Sequence, residues 1–330
     1  MRLRRADPAK PGYGRHRRGR GFSYVDTGGA PLRDTDERAR IRNLAIPPAW
    51  QDVWISPDPR GHIQATGTDN AGRRQYLYHP VWRQRRDAAK FDHVLDVAAR
   101  LPRIRRTVTR HLDDRGLTQR RVLATAVRLL DRGLFRVGGE QYASGDDATF
   151  GLATLQVGHV RLHNGEAVFC YPAKGGTERE CTVTDPAIRP VLRRLVRDRD
   201  PEDRLFGYRA GRAWRELHSD DVNAYLREVA GCDITAKDFR TWHATVLAAV
   251  LLAHEGTGGS DTRRKRVVAH VMREVAEELG NTAAVARASY VDPRVVDEFH
   301  GGATIRPQTR VDDFPAPPAV ERAVLDLLAP

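Results

Sequence analysis

The chain has 330 residues, enough for about two domains and a sizeable hydrophobic core. Its 55 Lys and Arg against 43 Asp and Glu leave a net charge of +12; this balance points to a polyanionic partner, nucleic acid first, with plain solubility charge as the alternative. No apolar run is long enough for a membrane helix, the Arg-rich start predicts no secretory signal, and three cysteines without CxxC spacing argue against structural zinc or a disulfide framework and fit a reducing cytoplasm.

Taken in chain order, residues 1–24 carry eight basic residues and one acid with glycines interleaved. They predict a mobile basic arm that tracks phosphates or is simply a solvated tail. Residues 25–86 read as a small β-rich domain. Val53-Trp54-Ile55-Ser56 and His62 to Gly67 predict strands joined by a turn at Asp58-Pro59-Arg60-Gly61, and Gln75-Tyr76-Leu77-Tyr78 predicts another. From residue 87 to 302 the pattern is mainly helical, with helices predicted over 87–100, 118–132, 186–198, 220–230, 236–253, 262–279 and 283–290. Gly280 predicts a helix C-cap, Thr282 the cap of the next helix, and Thr235-x-x-Asp238 a capping box.

One β island interrupts these helices. Asn164-Gly165 is a type I′ hairpin signal between Val160–His163 and Glu166–Tyr171, and a third strand, Arg179–Thr184, follows a reversal at Lys174-Gly175-Gly176. Residues 303–330 read as a C-terminal tail, Pro-rich at Pro315, Pro317 and Pro318. The fold class is therefore α+β: a small β-rich domain, then a larger mainly helical domain holding a three-stranded sheet.

Several familiar sites are missing. Lys174-Gly175-Gly176-Thr177 has the letters of a phosphate loop in the wrong order, and there is no HExxH motif or carboxylate cluster of metal spacing. Asp146-Asp147 reads as a loop or capping pair. No metal, nucleotide or other cofactor is expected. Only five residues are Lys (10, 90, 174, 237 and 265), and each stands out because Lys can give up a proton whereas Arg practically cannot. Lys174 is placed at a tight β turn, where a side chain is aimed well. Arg136 follows an amphipathic helix, Arg240 lies one turn inside a capped helix, Asn281 sits at a helix break and Tyr290 at a helix end nine residues later. Singly, an Arg at a helix end caps or pairs, and a Tyr there packs. Together they suit attack on a phosphodiester, whose transition state gathers negative charge that guanidinium groups can hold. A Lys can protonate the leaving alkoxide, and a tyrosine hydroxyl can be the nucleophile.

On these residues the chain resembles the bacterial and poxvirus type IB DNA topoisomerases, over residues 25–302. Ile46-Pro47-Pro48-Ala49-Trp50 and Gly72-Arg73-Arg74-Gln75-Tyr76-Leu77-Tyr78 resemble the N-terminal signatures. Arg136, Gly138 and Tyr142 match the RxGxxxY context of the family's first arginine; Lys174 matches its general acid; Lys237 and Arg240 match its KxxR pattern. Gly280-Asn281-Thr282 to Tyr290 resembles the run ending in its nucleophile, with Asn281 where the viral enzymes carry His. Neutral Asn still donates a hydrogen bond but adds no charge.

The resemblance implies a C-shaped clamp around supercoiled duplex DNA, acting as a monomer without ATP, metal or membrane in the cytoplasm at the nucleoid. Tyr290 would form a 3′-phosphotyrosine; Lys174, helped by Arg136, would protonate the 5′-hydroxyl; Arg136, Arg240 and Asn281 would hold the nonbridging oxygens. Arg73, Arg74, Gln75, Tyr76, Tyr78, Tyr142 and Lys237 would reach DNA, although the aromatics beside Arg73 and Arg74 equally suit a small β core with a solvated rim. The rivals are a tyrosine recombinase, in which HxxR usually replaces KxxR and the N-terminal domain is helical, and a noncatalytic DNA-packaging protein. An RNA-binding module has weaker support, since no aromatic RNP-like strand pair is evident.

Overall fold

The computed structural model describes residues 1–145, 147–306 and 316–329, so Asp146 and Pro315 lie outside the described residues. The chain divides into two compact units, Met1–Phe91 and Asp92–Pro330.

The first unit is a five-stranded antiparallel sheet. Its strands are β1 (Tyr13–Arg18), β2 (Gly21–Val25), β3 (Gln51–Ile55), β4 (Ile63–Thr68) and β5 (Arg74–Tyr78), in the order β2-β1-β3-β4-β5. Helix α1 (Thr35–Asn43) supplies Ile41 to a core shared with Ile46, Val53, Ile55 and Ala65. The periodicity of α1 is invisible in the sequence because Ile41 is its one buried residue; the N-cap Asp34, which accepts from the Asp36 and Glu37 amides, marks its start instead.

Residues 1–24 are not an arm. β1 and β2 form a hairpin inside the sheet, and Tyr13 and Tyr24 pack on the core. Positive charge does not expel this segment because its key cation is partnered. Arg15 donates to the carbonyls of Ile46 (3.0 Å), Pro47 (3.0 Å) and Trp50 (2.8 Å), and its guanidinium lies 4.2 Å from the Phe22 ring centroid. The Ile46–Trp50 motif is thus a loop pinned by the very segment expected to be mobile.

Helix α2 (Pro80–Leu112) starts in the first unit and runs on into the second, well beyond the predicted 87–100. The second unit continues with α3 (Gln119–Gly133), then a three-stranded sheet of β6 (Val160–His163), β7 (Glu166–Pro172) and β8 (Glu178–Val183), and α4 (Arg189–Val196). The small hairpin β9 (Gly207–Ala210) and β10 (Ala213–Glu216) precedes α5 (Ser219–Ala230), α6 (Ala236–Glu255), α7 (Asp261–Leu279), α8 (Ala283–Ser289), α9 (Pro293–Gly301) and α10 (Pro318–Leu328). Asn164 and Gly165 both have positive φ (42° and 94°), as a type I′ turn demands. Helix α6 is buried nearly all round, which makes it the axis on which α3, α5, α7, α9 and α10 pack.

The C-terminal segment is also more than a tail. In α10, Val320, Val324 and Leu328 are core residues, and Glu321 joins a buried ionic cluster. Arg105 of α2 donates to Asp131 of α3 (2.8 Å) and to Glu321 (2.9 Å), Trp242 of α6 donates to Glu321 (3.2 Å), and His243 Nε2 meets Asp131 at 3.1 Å. Burial pushes the Asp131 carboxyl up, but hydrogen bonds from His243 and Arg105 pull it further down, to well below the usual carboxylate range. Four helices are joined here, one turn from Arg240.

Candidate active site

The second unit brings Arg136, Lys174, Arg240 and Tyr290 to one pocket of about 340 Å³, together with Tyr142 and Lys237. Each arrives by a definite local device. Helix α3 ends at Leu134, whose left-handed conformation (φ 53°) turns the chain abruptly toward Arg136. Residues 136–138 are then clamped to the next turn: Leu152 N–H donates to Arg136 C=O (2.8 Å) and Ala153 N–H to Val137 C=O (2.7 Å). This needs Gly138. Its φ is +87°, and a Cβ there would stand 2.9 Å from Gly151 Cα and 2.9 Å from Thr154 Oγ1.

Lys174 sits in the tight turn between β7 and β8, closed by Ala173 N–H to Thr177 C=O (2.9 Å), and its side chain is exposed. Arg240 comes from the first turns of α6, behind the capping box of Thr235 and Asp238. Helix α7 ends at Gly280 (φ 57°) in a Schellman arrangement, with Asn281 N–H donating to Ala276 C=O (2.8 Å). Thr282 caps α8, and Tyr290 ends it half-buried. Thr245 Oγ1 of α6 accepts from Asp292 N–H (3.0 Å), which ties down the chain just past the tyrosine.

Three arginines converge on the carboxyl end of α7. Arg179 of β8 donates to Glu278 C=O (3.1 Å), Arg240 to Leu279 C=O (2.8 Å) and Arg136 to Gly280 C=O (2.8 Å). Arg179 and Arg240 also bond the carbonyls of Gly133 and Leu134 at the end of α3. Two helix C-termini, each the negative end of a dipole, are thereby held by guanidinium groups. Arg179 is a site-forming residue that sequence reasoning missed: in the sequence it marks only the start of a strand, and its partners lie 46 and 99 positions away.

The electrostatics of the pocket are one-sided. Its lining holds four cations (Arg136, Lys174, Lys237 and Arg240) and no carboxylate. Burial lowers the Arg240 guanidinium, and the like charge of Arg136 lowers it further, to about 10; it remains charged at neutral pH. Arg136 is lowered too, first by burial. The Arg240 guanidinium carbon is 5.3 Å from the Tyr290 ring centroid and Lys237 Nζ is 6.0 Å from it. Crowded, partly desolvated cations without a carboxylate form a site that gains from an incoming anion.

Asn281 is placed behind this pocket rather than in its lining. Its Oδ1 accepts from Arg136 (2.7 Å), so its Nδ2 is the free donor, and that atom has no partner.

Residues 79–300 match the family described as eukaryotic DNA topoisomerase I, catalytic core, and residues 21–69 match bacterial DNA topoisomerase IB, N-terminal domain. The chain belongs to the type IB DNA topoisomerases. It is 29% identical over 265 residues to DNA topoisomerase 1B of Acanthamoeba polyphaga mimivirus, covering 78% of each chain. DNA topoisomerase 1B of vaccinia virus is 23% identical over 237 residues, 70% of each chain. DNA topoisomerase 1 alpha of Arabidopsis thaliana is 27% identical over 193 residues, 58% of this chain and 20% of the plant protein. This type IB topoisomerase is therefore an isomerase acting on DNA, and among its described residues no helix is long and apolar enough to cross a membrane.

The N-terminal residues expected at DNA divide between the two faces of edge strand β5. Arg74, Tyr76 and Tyr78 share its exposed face, the two rings stacked 5.9 Å apart. Gln75 lies on the other face and donates to Asp69 (2.9 Å), as does Arg73 (3.0 Å).

Proposed function

We propose that this topoisomerase relaxes supercoiled duplex DNA through a covalent Tyr290 intermediate, acting as a monomer without ATP or metal. The supporting observation is the pocket that combines a tyrosine with four cations and no carboxylate. The Tyr290 hydroxyl releases its proton to solvent as its oxygen attacks a backbone phosphorus, a new P–O bond forms to the tyrosine, and the bond to the 5′-oxygen breaks. Lys174, aimed from its β turn, gives that oxygen its proton. Arg136 and Arg240 hold the nonbridging oxygens of the five-coordinate transition state, each such donor contributing about 10²–10³ in rate. Asn281, behind the pocket, holds the Arg136 guanidinium through its Oδ1 and so acts as a positioning residue where the viral enzymes carry His. The cut strand swivels, and the 5′-hydroxyl reverses the step. The bond energy stays in the phosphotyrosine, so no nucleotide is consumed. Tyr142 and Lys237 at the pocket, with Arg74, Tyr76 and Tyr78 on β5, bind the DNA; Arg73 and Gln75 act through Asp69, which they hold in place.

The deciding experiment is relaxation of supercoiled plasmid with EDTA present and ATP absent, wild type beside Tyr290→Phe. Relaxation by the wild type alone, with DNA bound equally by both, is the expected result. Equal relaxation by Tyr290→Phe removes the tyrosine from the reaction. Binding without relaxation by either turns the assignment toward a recombinase needing its own sites or a packaging protein.

A further inference from the structure

We propose that Arg179 is a positioning residue for the proton-transfer step: it fixes the hairpin that carries Lys174 against the same turn of α7 that seats Arg136 and Arg240. Lys174 lies at the tip of the β7–β8 hairpin, and among the described residues its exposed ammonium meets no hydrogen-bonding or ionic partner. Its aim is therefore set by where the hairpin docks. The turn is closed, with Ala173 N–H donating to Thr177 C=O (2.9 Å) and Gly176 N–H to Ala173 C=O (3.0 Å), so it moves as one piece with its strands. On the β7 side, Phe150 N–H donates to Pro172 C=O (2.8 Å). Strand β8 is at the edge of the sheet, in the order β6-β7-β8, so its hold on the helices comes from side chains.

Those side chains are Arg179, Cys181 and Val183, which alternate onto the inward face of β8 while Glu178, Glu180 and Thr182 face out. Val183 is a core residue and Cys181 packs against that core. Arg179 puts a cation on this otherwise apolar face. Its Nη1 donates to Glu278 C=O at the end of α7 (3.1 Å) and its Nη2 to Gly133 C=O at the end of α3 (3.3 Å). A planar fork spans two helix ends at once, which a point charge on a flexible stem does not. Gly280 leaves the space for it: a Cβ there would stand 3.2 Å from Arg179 Nη1. Three consecutive carbonyls, those of Glu278, Leu279 and Gly280, thus take Arg179, Arg240 and Arg136 in turn. The proton donor's hairpin and the phosphate-holding arginines share one point of reference. Arg179 itself lines a neighbouring groove with Glu178, Cys181 and Glu277, not the catalytic pocket, so it acts through Lys174 rather than on the phosphate. Thr177, at the base of the turn, is two residues from Arg179, about 7 Å along a strand. Over so short a lever, a hairpin that loses this tie carries Lys174 with it, and a misplacement of about 1 Å costs about 10²-fold in rate.

The inference rests on the proton-donor reading of Lys174, and the test separates the two. Single-turnover cleavage by Arg179→Met is compared with wild type and Lys174→Ala on two short duplexes. One carries an ordinary phosphodiester and the other a 5′-phosphorothiolate at the position the wild type cleaves. The expected result for Arg179→Met is a loss of about 10²-fold on the phosphodiester and near-wild-type cleavage of the phosphorothiolate, whose leaving group needs no proton. The double variant Arg179→Met, Lys174→Ala is expected to cleave the phosphodiester no more slowly than Lys174→Ala alone, because both changes act on one step. Arg179→Gln, which keeps a donor for one helix end, runs beside the Met variant in case that one does not fold. Loss on both substrates by both variants, or a double variant slowed by the product of the single effects, overturns the proposal and leaves Arg179 as a tie of the whole site. Full phosphodiester cleavage by both variants overturns it as well. If the phosphorothiolate recovers neither Lys174→Ala nor the Arg179 variants, the proton-donor reading is overturned and the positioning role falls with it.

Discussion

Lys174 is the residue whose role separates most cleanly from the rest. It is exposed in a closed β turn at the mouth of a pocket whose other cations come from loops and helices. Lys174→Ala is expected to slow cleavage of an ordinary phosphodiester by about 10²–10⁴. A substrate with a 5′-phosphorothiolate leaving group needs no proton and is expected to recover most of that rate; absence of recovery in single-turnover cleavage would remove Lys174 from the proton-donor role. The fold brings Arg136, Lys174, Arg240 and Tyr290 to one pocket, and each of these candidates was legible in the sequence by residue type and position. Arg179 was not. Its importance lies in reaching two helix ends at once, and nothing in its neighbours along the chain announces that.

At the scale of elements, the site depends on how α3 and α7 end. Gly138 is the sharpest probe, because it is pinned between Gly151 and Thr154 at φ +87°. Gly138→Ala adds about 1–2 kcal/mol of backbone strain and a clash that must shift the Arg136 loop. A displacement of about 1 Å at the reacting groups is enough for a ~10²-fold loss in cleavage rate, with DNA affinity nearly intact. Gly116 is the control: its φ is +83° but a Cβ there meets nothing within 4 Å. Gly116→Ala is expected to lower the unfolding midpoint without touching the rate. A rate loss at both sites, or at neither, would mean that the 136–138 clamp does not position the arginine. Helix α7, with its apolar period and Gly280 cap, and helix α6, marked by its capping box, were legible in the sequence. Helix α1 and the β1–β2 hairpin were not: one has a single buried side chain, and the other hides Tyr13, Phe22 and Tyr24 among arginines.

At the scale of the whole chain, the Arg105–Asp131–Glu321 cluster ties α10, which lies beyond the matched catalytic core, to the helices that carry the site. The Asp131 carboxyl is held below its unfolded-state pKa of about 3.9. Its contribution to stability is therefore complete above about pH 4 and lost as pH falls from there toward the lower folded-state value. Asp131→Asn leaves the half-buried Arg105 with half its partners and is expected to cost about 3 kcal/mol at pH 7. Urea unfolding of both proteins checks this: the gap between them narrows below pH 4, and a gap independent of pH would mean that the charge of Asp131 does not stabilise the fold.

The sequence by itself determined the family, the candidate residues for its chemistry and most of the helices around them, because residue type, caps and periodicity are local properties. Only the tertiary structure decided that the basic N-terminus is part of a sheet and that the C-terminal helix is part of the core. It alone decided that three arginines meet on the end of α7. Those outcomes depend on which carbonyls and carboxylates a long cation meets across the fold, and charge written along a chain does not say what it will face.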